Sequence, residues 1–361
     1  MTGSFRQLGT PSRLPRAAMG EAAPLQGRSS RAHPGNAAQA LVIVNPRSHR
    51  NRVQRPVVPS GVQIAEPKTR ESLHDVLARA QDNRVGLIII AGGDGTVRDV
   101  LSCAGTMWGH DAAPAVAVLP RGKTNALALD LGVPRNWDVA DAIAAWRSGQ
   151  FASRRPIEIY DCNPSDGDLD APRGGERQEP PCVRGYLFGA GAFVLSTDLA
   201  QKTHHLGAFN NLAVALSTAG TVLNVAFGRD SSPWRAGQRM RIRYDRHAKA
   251  MHNAALDSDA QRFIMLVTTL ETMPLGIKPF GPPRAGMKAL IVDAPPRRFV
   301  RMFAKIIRGS TDPALEDCGA HRVDADTLDI ELDGGFIFDG ERFAAGRYRL
   351  KKGAPVQYVI P

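Results

Sequence analysis

Residues 88–100 read IIIAGGDGTVRDV, and this stretch decides how the chain folds. The β-branched apolar run predicts a buried strand, three glycines surround Asp94, and apolar residues at helical spacing follow. Glycines at a strand-to-helix turn let backbone N–H groups approach an anion, and the helix N-terminus adds a favourable dipole. The stretch therefore predicts a phosphate site. The alternative is a structural turn closed by an Asx bond, because short glycine motifs often occur without function.

Asp94 is the unexpected residue of this turn, since a carboxylate repels a bare phosphate. Its position among phosphate-binding glycines indicates a bridging metal ion, or a hydrogen bond to a sugar or a water molecule.

Strands and helices alternate around the glycine turn. Apolar runs predict strands at 40–44, 62–65, 87–91 and 115–119, and helical spacing predicts helices near 69–80, 97–107, 125–131 and 139–148. Strands that are apolar on both faces and alternate with helices indicate a parallel three-layer α/β sheet, so we expect a Rossmann-like domain over 39–152. Ligands of such sheets bind at the carboxyl ends of the strands, where the polar turns 45–48, 92–96 and 121–125 all fall.

The second half of the chain has a different pattern. Few helices separate its short apolar segments, which indicates a mainly antiparallel β-sandwich domain over 153–361. The predicted strands are 157–160, 186–190, 240–244, 263–269, 288–292, 327–332, 335–339 and 356–360. A polar stretch at 163–184 predicts a disordered excursion, and the last strand is one that could return to the first domain. Residues 297–308 show a basic amphipathic helix pattern, which either packs on a sheet or meets lipid headgroups.

The net charge of +11 is partly an effect of the N-terminal tail, where residues 1–38 hold five arginines against one glutamate. We expect this tail to be disordered. The remaining basic body suits nucleotide phosphates or anionic lipid headgroups, and nucleic acid is the weakest candidate because no aromatic stacking platform is evident. No apolar run reaches the roughly 20 residues of a membrane span. We therefore expect a cytoplasmic protein with peripheral membrane contact, and a homodimer is one possible assembly.

Four blocks of the chain, taken together, resemble the catalytic domain of the diacylglycerol kinase, sphingosine kinase and ceramide kinase superfamily, including its soluble bacterial lipid-kinase members. The blocks are Asn45-Pro46-Arg47-Ser48, Gly92–Asp99, Leu119–Asn125 and Phe338-Asp339-Gly340-Glu341. Gly189–Phe193 is similar to the glycine-rich strand of that family, and Asp161 falls where the family places an acid. The resemblance implies an ATP- and Mg²⁺-dependent kinase whose nucleotide lies between a Rossmann-like domain and a β-sandwich domain.

The resemblance also implies roles for individual residues. Asp339 matches the proton acceptor, which suits chemistry in which an alcohol must lose its proton as its oxygen attacks phosphorus. Taken without the other blocks, Asp339-Gly340 reads as a plain hairpin turn. Glu341 and Asp94 are the further catalytic candidates, and the candidate metal ligands are Asp94, Asp161 and Glu341. The implied nucleotide-binding residues are Asn45, Pro46, Arg47, Ser48, Thr69, Gly92, Gly93, Gly95, Thr96, Lys123, Thr124 and Asn125.

Three positions depart from the family pattern. His49 replaces a usual glycine, Lys123 stands at a threonine position, and Ala285 stands where bacterial relatives often carry an aspartate that helps to hold a structural Mg²⁺. Because alanine cannot ligate a metal, we do not expect that second site here.

A lipid kinase is the leading functional hypothesis, with a diacylglycerol-like acceptor placed first and ceramide or a sphingoid base as the alternative. We expect the acceptor pocket around 193–206 and 272–283. NAD kinases share the glycine-aspartate block, but the Asn45-Pro46 block and the C-terminal Asp-Gly-Glu argue against them. A hypothesis of another class is a catalytically silent relative that binds nucleotide or lipid.

Overall fold

The computed structural model describes residues 40–108, 113–162, 181, 183–197, 236–246, 249–251 and 254–361. The predicted tail at 1–38, most of the predicted excursion (163–180 and 182) and part of the predicted acceptor pocket (198–206) lie outside the described residues. In the part of the chain that the structure describes, no helix combines the length and apolar content that crossing a membrane requires.

A parallel α/β sheet forms the first of two layered units. Within the described residues its strand order is β2-β1-β3-β4-β18-β5, and β5 alone runs antiparallel to its neighbour. Its strands are β1 (Ala40–Val44), β2 (Gln63–Ala65), β3 (Leu87–Gly92), β4 (Ala115–Pro120), β5 (Phe151–Arg154) and β18 (Val356–Val359). Its helices are α1 (Arg70–Asp82), α2 (Asp94–Met107), α3 (Ala126–Asp130) and α4 (Val139–Arg147). Every residue of β1, β3 and β4 is buried, as expected for strands covered on both faces.

A second, largely antiparallel sheet forms the other unit. Its main path within the described residues is β16-β15-β8-β11-β9-β14-β17-β6-β7, with β10 on β9 and with β12 between β11 and β13. The strands along the chain are β6 (Ile157–Asp161), β7 (Val183–Gly185), β8 (Leu187–Gly191), β9 (Gln238–Arg246), β10 (Lys249–Met251), β11 (Ala260–Thr268), β12 (Met287–Asp293), β13 (Ala320–Ala325), β14 (Thr327–Leu332), β15 (Phe336–Phe338), β16 (Glu341–Phe343) and β17 (Gly346–Lys352). The helices are α5 (Ala254–Asp257), α6 (Arg297–Ile307) and α7 (Ala314–Asp317), with a 3-10 turn at Pro274–Gly276.

The boundaries of the two units differ from those that the sequence predicts. The predicted division at 152/153 cuts β5, which belongs to the first sheet, and the last strand β18 also lies in that sheet. Val183–Gly185 forms β7, so the predicted excursion to residue 184 extends two residues too far. The basic amphipathic helix is present as α6, and Ile306 packs in an apolar cluster with Phe280 and Leu290.

Two buried polar contacts join the two units. The Asp130 carboxylate of α3 accepts hydrogen bonds from the Thr272 amide (2.6 Å) and hydroxyl (3.0 Å), and from Arg154 Nε (2.6 Å). The hydroxyls of Tyr186 and Tyr358 lie 2.6 Å apart in the core. Since both contacts connect the first sheet or its helices with the second unit, they hold the two units together.

Candidate active site

Asp339 lies at the tip of the hairpin that joins β15 to β16. Phe338 pairs with Glu341, and Asp339 and Gly340 both have positive φ angles of 42° and 82°. Two residues with positive φ form the tight turn that antiparallel strands favour. The predicted strand over 335–339 is therefore shorter, and Asp339 lies in the turn between β15 and β16. The turn geometry directs the Asp339 carboxylate toward the β7–β8 junction.

The Asp339 carboxylate is held by backbone amides. Its Oδ2 accepts from Tyr186 N at 2.8 Å and its Oδ1 accepts from Leu187 N at 2.9 Å, while Asp339 N donates to Leu187 O at 2.9 Å. A Cβ atom on Gly185 would overlap Oδ2, so only glycine leaves room for the carboxylate there. These contacts are all with backbone groups, which fix the position of the carboxylate without neutralising its charge.

Burial, followed by the nearby negative charge of Asp94, raises the pKa of Asp339 to about 7. The amides of Tyr186 and Leu187 and the positive charge of Arg98 act in the opposite direction. A carboxylate with this pKa is a stronger base than a solvated one and is still ionised in a large fraction of molecules near neutral pH.

Asp94 opens α2, and its carboxylate points at the start of α3. Leu127 N donates to Asp94 Oδ1 at 3.4 Å. Burial raises the pKa of Asp94, although backbone amides from Asn125 to Leu127 oppose the rise. Asp94 thus ties the glycine turn to α3 and lies close enough to Asp339 to act on its ionisation. The hydrogen bond to α3 gives this residue a partner that the sequence did not indicate.

Two glycine-bearing turns touch each other at the carboxyl edge of the sheet. A Cβ on Gly122 would lie 2.6 Å from the Gly93 Cα, and one on Gly93 would lie 3.0 Å from the Gly122 Cα. Asn125 adopts a left-handed conformation (φ 52°), and its side chain bonds both the N–H (2.7 Å) and the C=O (2.9 Å) of Gly122. α2 begins after Gly93 without a side-chain cap. The arrangement leaves a helix N-terminus available for an anion.

The turn after β1 joins the same edge. Asn45 donates to the Thr96 hydroxyl at 2.9 Å, and its side-chain oxygen accepts from Arg47 N at 3.0 Å. Asn51, which the sequence did not single out, is buried and donates to the carbonyls of Asn45 (2.8 Å) and Ala91 (2.9 Å). A single asparagine outside any motif does not indicate a role in the sequence. In the structure its contacts join the ends of β1 and β3.

The other predicted nucleotide-binding residues differ in their exposure. Pro46 is partly buried, Arg47 is exposed, Ser48 is buried, and Lys123 and Thr124 are exposed on the turn after β4. Gly92 packs against Thr96, and a Cβ on Gly95 would lie 3.5 Å from the Asp339 carbonyl oxygen. Thr69 caps α1 through Ser72 and borders an open surface cavity of about 530 Å³.

The three candidate metal ligands are not brought together. Glu341 pairs with Arg98 at 2.6 Å and with Arg70 at 3.2 Å, and Asp94 faces the amides of α3. Asp161 is exposed at the end of β6, where it pairs with Tyr348. Gly185, which lies against the Asp339 carboxylate, pairs with Ile157, four residues earlier on β6. Among the described residues no three His, Cys, Asp or Glu side chains converge as a metal site. This donor set does not fit a metal ion held by several protein carboxylates.

Gly122→Ala is expected to raise the Kd for an unreactive ATP analogue by about tenfold, equal to about 1.4 kcal/mol, because the new methyl group pushes the two turns apart. Titration calorimetry measures the effect. Gly149→Ala is the control, since a Cβ there meets nothing within 4 Å, although an alanine at its φ of 72° is strained, unlike one at position 122. Equal affinities of both variants would contradict the role given to the touching turns.

The comparisons agree with this architecture. Residues 39–158 match the model of the diacylglycerol kinase catalytic domain. Two solved structures of proteins named as diacylglycerol kinases from Bacillus anthracis str. Sterne share 15% and 17% identity, each with a TM-score of 0.56, covering 89% of this chain and 96% of theirs. A third from the same organism has 15% identity and a TM-score of 0.57, covering 89% and 97%. At these identities the likeness shows a shared fold. No curated protein matches the chain.

Proposed function

We propose that the chain is an ATP-dependent lipid kinase that phosphorylates a lipid hydroxyl, because residues 39–158 match the model of the diacylglycerol kinase catalytic domain. The observation that carries the proposal is the Asp339 carboxylate, which the second unit presents beside the glycine turn of the first. A phosphate-binding turn and a base with a raised pKa are the two parts that phosphoryl transfer to an alcohol requires.

In the proposed reaction Asp339 accepts the proton of the lipid hydroxyl. The freed oxygen forms a bond to the γ-phosphorus of ATP, and the bond from that phosphorus to the bridging oxygen of ADP breaks, so that ADP leaves. The anchoring of Asp339 by two amides supports this role, because a base positioned in advance needs little rearrangement.

The carboxyl edge of the first sheet supplies the proposed nucleotide contacts. The uncapped start of α2 offers backbone N–H groups, and the exposed Lys123 on the neighbouring turn offers a positive charge. Asn45 and Thr96 bond each other beside them. This donor-rich surface supports binding of a polyphosphate.

We propose that Mg²⁺ reaches the site bound to the triphosphate. Mg²⁺ retains several waters and commonly uses substrate phosphates as ligands. The engagement of Glu341 by two arginines and of Asp94 by α3 supports this view. When bound, the ion would neutralise charge on the phosphates. Proton transfer is assigned to Asp339, and phosphate binding to the start of α2 and Lys123.

A diacylglycerol-like acceptor is proposed first, with ceramide or a sphingoid base as the alternative. The segment 270–283 encloses a small cavity of about 80 Å³ with apolar walls, and Thr272 within it is tied to Asp130 at the edge of the first sheet. Leu275 in this segment is 79% exposed, and we propose that it contacts the lipid surface during a peripheral association with membranes.

The activity is expected to fall with decreasing pH through about 7. Asp339 must be ionised to accept a proton, and its pKa of about 7 places the loss of kcat/KM below neutral pH. Asp94→Asn removes a charge that raises this pKa, so the acidic limb of the profile should move to lower pH. Initial rates from about pH 5.5 to 8.5 measure both effects. A flat profile would exclude Asp339 as the titrating base.

A panel of acceptors tests the proposed function. Diacylglycerol, ceramide and sphingosine in mixed micelles are offered with labelled ATP, and the label in each extracted lipid is counted. We expect the highest kcat/KM for diacylglycerol, and a preference for ceramide or sphingosine would support the alternative acceptor. Binding of ATP without labelling of any lipid would support the catalytically silent relative instead.

A further inference from the structure

Arg98 connects the two sides of the cleft through one buried side chain. It lies on α2, one turn after the glycine turn, and only 7% of its side chain is exposed. Its Nη1 donates to the Phe338 carbonyl at 3.2 Å, and its Nη2 lies 2.6 Å from Glu341 Oε2. Phe338 and Glu341 are the paired residues on either side of the Asp339–Gly340 turn. The guanidinium therefore contacts both strands of the hairpin that carries the proposed base.

Asp99 completes the arrangement from the same helix. Its Oδ1 lies 2.8 Å from Arg98 Nη2, and burial of the guanidinium is offset by its attraction to Asp99 and Glu341. Two acidic partners and a carbonyl fix the planar guanidinium in one orientation.

The helix α2 also contacts β7, the strand that ends beside the Asp339 carboxylate. The Ser102 hydroxyl accepts from Arg184 N at 2.9 Å and lies 3.4 Å from the Arg184 carbonyl. Arg184 precedes Gly185, the residue against which the Asp339 carboxylate lies. α2 thus contacts the second unit at β7 and at the β15–β16 hairpin, and Arg98 makes the hydrogen bond to the hairpin.

We propose that Arg98 is a positioning residue that holds the Asp339 hairpin at a fixed distance from the glycine turn, with Glu341 as its anchor rather than as a metal ligand. This inference rests on the proposed function for its effect on catalysis. Its geometric part stands on the contacts of Arg98 with Phe338, Glu341 and Asp99.

Arg98→Gln tests the proposal beside a matched control. We expect kcat for lipid phosphorylation to fall about 10- to 100-fold, because small misplacements of a reacting group have effects of this size, while KM for ATP stays within about twofold. Arg98→Lys, which retains the charge, should recover part of the loss. Arg70→Gln removes an arginine that also contacts Glu341 and Asp99 but is 51% exposed, and its kcat should stay within about twofold of wild type.

Amide hydrogen exchange gives a readout that does not depend on activity. In Arg98→Gln the amides of Tyr186, Leu187 and Asp339 should exchange faster, while those of β3 stay protected. If wild type phosphorylates no lipid but these amides respond, the proposed function fails and the positioning role stands. If kcat and exchange both stay as in wild type, the positioning role is overturned.

Glu341→Gln provides a second test if Arg98→Gln does not fold. It keeps the size of the side chain and should lower kcat in the same direction. In the double variant with Arg98→Gln, the loss should be smaller than the product of the two single losses, because both substitutions remove one contact. Fully multiplicative losses would contradict the proposed shared contact between Arg98 and Glu341.

Discussion

Asp339→Asn is expected to lower kcat for lipid phosphorylation by about 10²- to 10⁴-fold, the range that a positioned general base contributes. An amide cannot take up the hydroxyl proton at neutral pH. Asparagine is well suited to the left-handed backbone at this position, where φ is 42°, so the turn should persist although the amide oxygen replaces only one of the two carboxylate acceptors.

Two measurements separate loss of the base from loss of the site. The affinity for ATP should remain close to that of wild type, because the glycine turn and the turn at Gly122 belong to the first unit. The thermal midpoint should not fall by more than a few degrees, because the substitution also removes a buried charge next to Asp94. Wild-type kcat in this variant would show that Asp339 is not the base.

Asp130→Ala is expected to lower the free energy of unfolding by about 3–5 kcal/mol, the usual consequence of removing one partner of a buried ion pair. The side chain of Asp130 is fully buried, and it bonds Arg154 Nε at 2.6 Å. It also accepts two hydrogen bonds from Thr272. Without it, Arg154 and the Thr272 amide lose their acceptor inside the contact between the two units.

Glu271→Ala is the matched control for this effect. Glu271 lies 3.5 Å from Nη2 of the same Arg154 but is 38% exposed, so its loss should change the free energy of unfolding by less than about 1 kcal/mol. Denaturant unfolding followed by circular dichroism compares the two variants. If Asp130→Ala is no less stable than Glu271→Ala, the contact does not hold the units together as described.

The first unit could be predicted closely where its strands are continuous apolar runs, as in β1, β3 and β4. The strands that the sequence did not indicate are short or strongly polar, such as β5, β7 and β16, and β17 reads GRYRLKK. Their stability comes from partners that are remote in the chain, as when β18 inserts between β4 and β5. Local patterns do not contain this information.

The candidate site was predictable where motifs supply the residues and not where the fold brings partners together. The glycine turn, Asn45 and Asp339 do lie at one edge of the cleft. The pairing of Glu341 with Arg98 joins residues that are distant in sequence and leaves Glu341 engaged by arginines. Asn51 and Gly185 were missed for the same reason, since their roles depend on which backbone or carboxylate lies beside them.

The most direct test of the central claim is transfer of label from γ-labelled ATP to extracted lipid by wild type and by Asp339→Asn, at saturating nucleotide and neutral pH. The account predicts a labelled lipid with wild type and a rate at least about 100-fold lower with the variant, while both proteins bind ATP equally. Binding of ATP by wild type with no label in any lipid, or equal rates for the two proteins, would contradict it.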